Sequence, residues 1–191
     1  MTETLTNEEL LNRLRSKNLR VTEEPQIVVY GDVEICGKEA DIRGVPLRNI
    51  IFEGNVTISD FGHHPMAIAL ESCIIKKELR IKMCAISTIT LRGTRAERIT
   101  FQEQVAFENV VLHEVATKRL DLSGLLVTDL LSIFNSRFEN VELLSREDGK
   151  VTRLKVNGCC HTDDPVIATH MRYAGVPTFL TQATAKKLSG I

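Results

Sequence analysis

The densest run of metal-ligand side chains in this 191-residue chain is Cys159-Cys160-His161-Thr162-Asp163-Asp164, with His170 beyond it. Structural zinc sites set two Cys or His about two to four residues apart and add a second such pair. Here the thiols are adjacent and no second pair follows, so buried thiols and edge-covering polar residues are expected rather than a metal, and no cofactor is expected elsewhere. His63 and His64 are also adjacent, and on an extended chain neighbouring side chains point to opposite sides; a loop surface suits them. Ser123 and His113 stand in no pattern that would supply the orienting third group of a nucleophilic triad. Asp121 and Glu142 are 21 residues apart. If the chain repeats with that period they stack closely enough to share a proton, with Arg80 two repeats below. Paired carboxylates are the machinery of glycoside cleavage, but no aromatic sugar platform accompanies these. A polysaccharide-processing enzyme is therefore the weakest of the functional readings, and no catalytic residue is assigned.

The same period organises the charges. Lys77, Arg98 and Arg119 recur at 21-residue steps, with Arg95 beside them and Arg92 and Arg137 close enough to widen the stripe. Like charges placed directly opposite one another on neighbouring strands repel, so a stack of three is disposed to receive an acidic partner or a phosphate backbone. A groove for single-stranded nucleic acid would add stacking aromatics. Aromatic residues make up 5% of the chain, Trp is absent, and the balance of 24 Lys and Arg against 25 Asp and Glu leaves a net charge of −1. The expected partner is thus another protein, bound through Lys77, Arg98, Arg119 and Arg95, and not nucleic acid. One column over, Glu53, Lys76, Glu97, Lys118 and Glu139 alternate in sign, which suits a ladder that fixes register.

Such placement requires a repeating scaffold, and the apolar residues supply one. From Ile81 they run Ile81, Ile86, Leu91, Ala96, Phe101, and after one extra residue Phe107, Leu112, Thr117, Leu122, Val127. A second apolar or small residue precedes each by two places: Leu79, Cys84, Ile89, Thr94, Ile99, then Val105, Val110, Val115, Leu120, Leu125. A period of five is neither the 3.6 of a helix nor the 2 of a lone strand. Four such units plus one residue close a coil of 21. Four columns then line up: Leu47-Leu70-Leu91-Leu112-Ile133-Leu154, Phe52-Ile75-Ala96-Thr117-Phe138, Ile35-Ile58-Ile81-Phe101-Leu122-Leu143, and Ile86-Phe107-Val127. The spacing predicts an all-β, right-handed parallel β-helix with four-sided coils stacked about 4.8 Å apart.

Residues 33 to 143, and Leu120-Asp-Leu-Ser-Gly124 most closely, resemble the pentapeptide-repeat proteins, whose coils carry a central Leu or Phe with a small inward residue two places before it. In this chain that second position holds Val, Leu or Ile. The resemblance implies a rigid rod acting as a scaffold or interaction module, of the kind used by bacterial effectors and regulators, with dimerisation through the C-terminal end. It also implies an alternative, a DNA mimic that binds a topoisomerase. Mimicry requires an acidic face, whereas residues 76 to 98 carry seven Lys or Arg against two Glu.

Open solenoid ends need covers. Thr6-Asn-Glu-Glu9 has capping-box spacing, and Leu10, Leu11 and Leu14 follow at helical intervals, predicting a helix over 6–18. The organisation expected is an N-terminal helical cap at 1–25, the β-helix at 26–156 and a C-terminal cap and dimerisation segment at 157–191. Residues 60–67 and 145–150 are expected as corner loops. The five cysteines are odd in number with no framework spacing, which suits a reducing, cytoplasmic setting. No apolar run of the length of a signal core or a membrane span occurs, although export by a specialised secretion system needs no such run.

Overall fold

The computed structural model describes residues 3–37, 42–62, 67–103, 105–122 and 124–142, with strands at 153–157, 161–162 and 179–180. The chain is a parallel β-solenoid of about five turns of about 21 residues, preceded by one helix. Strand Ala85–Arg92 lies between Ala67–Glu71 and Val105–His113, so that Leu91 faces Leu70 on one side and Leu112 on the other. Below, Leu47 faces Leu70, and above, Leu112 faces Ile133. Phe52, Ile75, Ala96, Thr117 and Phe138 form the second file. The predicted columns are therefore physical ones, and both members of each five-residue unit from Leu79 to Val127 are buried. Thr117 enters this interior without leaving a hydroxyl unpaired: Oγ1 donates to the carbonyls of Glu97 and Arg119 at 3.1 and 3.0 Å.

Each coil has four bends of two kinds. At two of them the chain stays in the sheet. In Ile74–Lys82 the buried residues Ile75 and Leu79 are separated by three outward ones, Lys76, Lys77 and Glu78, so one strand serves two faces. The other two bends are sharp and use left-handed backbone. One file of such residues is Asn49, Ser72, Gly93, Glu114 and Asn135, with φ of 55°, 53°, 59°, 56° and 47°; the other is Asp60, Met83 and Glu103. The next residue along the first file turns inward, giving Ile50, Cys73, Thr94, Val115 and Ser136, all buried. Thr94 Oγ1 donates to the Leu70 carbonyl at 2.8 Å and Ser136 Oγ to that of Leu112 at 3.3 Å. Cys73 Sγ does the same to Leu47 at 3.7 Å. Burial raises the Cys73 thiol above its ordinary pKa and pushes Cys84 up to about 11, so both stay protonated donors, inert as nucleophiles.

The helix Asn7–Ser16 covers the first coil. Thr6 is its N-cap, and the Thr6 and Glu9 side chains make the reciprocal capping-box contacts. Leu10, Leu11 and Leu14 are buried beneath it. Asn7 fastens it to the sheet edge, its side-chain amide donating to the Arg48 carbonyl at 2.7 Å and its oxygen accepting from the Arg48 N–H at 3.0 Å. The N-terminal segment is more than a helix: Glu3–Thr4 pairs parallel with Ile42–Arg48, and Val21–Thr22 pairs antiparallel with Ile27–Val29.

The last coil departs from the expected register. Leu154 was expected above Ile133, but it faces Leu131, and Val156 faces Ile133. The coil is two residues longer, like the first ones, where Val33 faces Val56 at 23 residues. Leu143, the 145–150 corner, and most of 157–191 with its expected cap and dimer contact lie outside the described residues.

Substitutions should rank by mechanism. Leu91→Ala, at a fully buried site, is expected to cost about 2–5 kcal/mol. Gly93→Ala leaves the new Cβ 3.5 Å from Ser72 Oγ, so only the left-handed backbone at φ +59° opposes it, about 1 kcal/mol. Gly124→Ala sets a Cβ 2.3 Å from the Phe101 carbonyl oxygen and should cost more than Gly93→Ala. Urea denaturation midpoints of the three variants check this order.

Candidate interaction surface

Inward side chains are locked by the stack, so outward files at the bends carry whatever recognition the rod performs. Sequence spacing placed Lys77, Arg98 and Arg119 in one file. The structure keeps Arg98 facing Arg119, but Arg98 faces Glu78 in the coil below, because a bulge falls between the Ile75–Ala96 and Glu78–Arg98 pairs. Lys76 and Lys77 thus both lie opposite Glu97, and Lys77 is displaced from the file. The file reads Glu78, Arg98, Arg119, Asn140, so two like charges stack, not three. The physical reason is that the bend imposes no inward side chain, and an extra outward residue fits without disturbing the core. Lys77 remains exposed beside this bend and close enough to contribute to holding the Asp32 carboxyl down, an effect led by hydrogen bonds from Asn55.

Arg95 belongs to the neighbouring face, where it and Arg137 flank Ala116. The small side chains of Ala96, Ala116 and Thr117 leave a shallow notch of about 270 Å³ there, bordered by Lys118, Arg137 and Glu139. The expected alternating ladder is seen in one rung, Lys118 Nζ to Glu97 Oε1 at 2.9 Å. That hydrogen bond and its charge lower the Glu97 pKa and raise that of Lys118. The bend therefore presents Arg98 and Arg119, with Glu97 engaged by Lys118, and the adjoining face carries Arg95 and the notch that Arg137 borders. Arginine side chains offer charge-assisted hydrogen bonds to carboxylates and other anions.

Asp121 and Glu142 do pair in backbone register, with Thr100 below Asp121 and Arg80 below Thr100. Arg80 donates to Glu78 at 2.6 Å, and Thr100 donates to the other Glu78 oxygen at 2.9 Å. Arg80 Nε is buried without a hydrogen-bond partner. This is a structural network: the Glu78 backbone N–H also donates to Asn55 Oδ1 at 3.3 Å. Among the described residues no group of His, Cys, Asp and Glu is arranged to hold a metal ion. His161 pairs above Arg137, while Cys159, Cys160, His170, His63, His64 and Ser123 lie outside the described residues.

A further file escaped the sequence reading. Arg48, Glu71, Arg92, His113 and Phe134 stack outward, one residue before the left-handed corner. Arg48 Nε meets Glu71 Oε2 at 3.0 Å, Arg92 Nε donates to His113 Nδ1 at 3.2 Å, and the His113 ring lies 4.9 Å from that of Phe134. Its steps of 23, 21, 21 and 21 residues were present in the sequence, but its chemistry changes at every rung, so no residue type marks it.

Neither family models, nor curated proteins, nor solved structures show a match to this chain. No helix among the described residues is long and apolar enough to cross a membrane.

The carboxyls of Glu9, Asp32 and Glu97 are all held below their ordinary pKa, chiefly by hydrogen bonds from Thr6, Asn55 and Lys118 respectively. A carboxyl whose pKa is depressed on folding contributes stability above its unfolded pKa and loses it as pH falls through the folded value. Thermal stability should fall as pH drops below the usual carboxylate range, and Glu97→Gln should flatten part of that fall. Melting temperatures of both proteins from neutral pH to pH ~3 measure it; parallel curves would show that the Lys118 rung contributes nothing.

Proposed function

We propose that this chain is a non-enzymatic interaction module, a rigid solenoid that binds an acidic protein surface at the bend carrying Arg98 and Arg119, with Arg95 on the adjoining face. The observation that supports this reading is the Arg98–Arg119 pair, two like charges held one coil apart by backbone pairing. Repulsion within such a pair is relieved when an anionic partner lies across it. The pentapeptide-repeat resemblance is compatible with the same role. Topoisomerase binding by DNA mimicry is less favoured, because basic residues crowd this bend.

A fluorescent oligoglutamate peptide is the probe. It should bind at low salt, weaken steeply as salt rises, and lose about tenfold or more in affinity to the variant Arg98→Glu/Arg119→Glu. Unchanged binding by that variant removes the assignment of the bend. A gyrase supercoiling assay tests the alternative: inhibition by the wild-type chain that persists in the variant would favour mimicry over the basic bend.

A further inference from the structure

The net charge of −1 conceals a segregation that the coil geometry creates. Around one coil the bends fall in order at Glu97–Arg98, at the left-handed corner Glu103, at Glu108–Asn109 and at the left-handed corner Glu114. The first and third are the two in-sheet bends, and they are diagonally opposite. On the first, Arg98 faces Arg119. On the third, a bulge lies between the Phe107–Val127 and Asn109–Leu130 pairs, setting Thr128 and Asp129 opposite Glu108. Each bend therefore carries two like charges separated by one coil, arginines on one side of the rod, where Glu97 is engaged by Lys118 and Glu78 by Arg80, and carboxylates on the other. Lys76, Lys77 and Lys118 adjoin the basic bend. Glu103, at the corner before the third bend, and exposed Leu126 lie on the acidic side.

The two pairs are matched in pitch. Glu108 follows Arg98 by ten residues and Asp129 follows Arg119 by ten, half a coil in each case. A second copy shifted sideways in the same orientation, and along the axis by half a coil or about 2.4 Å, sets Glu108 against Arg98 and Asp129 against Arg119 at once. We infer that the acidic partner fitted by the basic bend is a second copy of this chain, docking side by side through its Glu108–Asp129 bend. The inference rests on the reading of the Arg98–Arg119 bend as a docking surface. The contact uses different patches on the two copies, so it is heterologous and repeats into an open row instead of closing a dimer. A bend contributes a narrow strip, well under the ~1,000 Å² of a stable interface, so association is weak, rises with concentration and is screened by salt.

Sedimentation velocity of the purified full chain tests it, at up to about 0.5 mM in about 20 mM and about 500 mM salt. The wild type should show a concentration-dependent rise in sedimentation coefficient at low salt that disappears at high salt. Arg98→Glu/Arg119→Glu and Glu108→Lys/Asp129→Lys should each remain monomeric, with circular dichroism verifying that both are folded. Mixed, they present only acidic bends to only basic ones and should associate again. A monomeric wild type at low salt, variants that associate as the wild type does, or a mixture that stays monomeric overturns the inference. If the oligoglutamate peptide binds while the wild type stays monomeric, self-association falls and the docking surface stands. If the peptide fails as well, both fall.

Discussion

Backbone hydrogen bonds between successive coils are parallel and run along most of the length of each strand, and they leave a side chain little choice of neighbour. Leu91 lies between Leu70 and Leu112 because its backbone does. Once the ladder exists, an inward position in one coil dictates an inward position in the next, and the core becomes a set of files rather than a jigsaw of unrelated contacts. The buried polar residues obey the same rule. Thr94 and Ser136 occupy equivalent corners and spend their hydroxyls on equivalent carbonyls, those of Leu70 and Leu112. Cys73 does so with a thiol.

What could be seen in the sequence follows from this constraint. The five-residue spacing identified the coil, the inward files and the helix cap, because burial selects apolar residues at every inward site and the capping box is a local signal. The bends were not visible in that way. Where three outward residues stand between Ile75 and Leu79 and Arg98 alone follows Glu97 before the next inward site, the hydrophobic pattern is intact either side and silent in between. A bulge there moved Lys77 out of its expected stack and brought Glu78 under Arg98. The final coil was misread for a related reason: Leu131, Ile133, Leu154 and Val156 are all aliphatic, so a slip of two residues preserves inward-outward alternation and leaves no trace in composition. The left-handed corners were half hidden, since Gly93, Asn49 and Asn135 are residue types that favour such backbone whereas Ser72 and Glu114 in the same file are not.

The outward files show how one scaffold separates tasks. The Lys118–Glu97 rung and the Arg48–Glu71 and Arg92–His113 contacts tie neighbouring coils to each other. The Arg98–Arg119 pair differs, in that backbone pairing sets two like charges one coil apart. Rigid parallel pairing permits this, because a flexible loop with the same two arginines would splay them apart. The placement of like charges at a bend is thus a property of the fold as much as of the residues.

The short corner at Leu122–Leu125 carries a different implication. There Leu125 N–H donates to the Leu122 carbonyl at 3.0 Å, and Gly124 lies against the Phe101 backbone; the corner is one residue shorter than the one below it, and the bulge at Thr128–Asp129 returns that residue at the next bend. A residue lost at one corner is thus regained at the next bend, and whole turns also differ in circumference, with a step of 23 residues from Leu47 to Leu70 and of 21 from Leu70 to Leu91. Because each coil contacts only its neighbours, the architecture is open to whole turns being added or removed with each perimeter set separately. Rod length and cross-section are consequently independent variables, open to divergence at different rates.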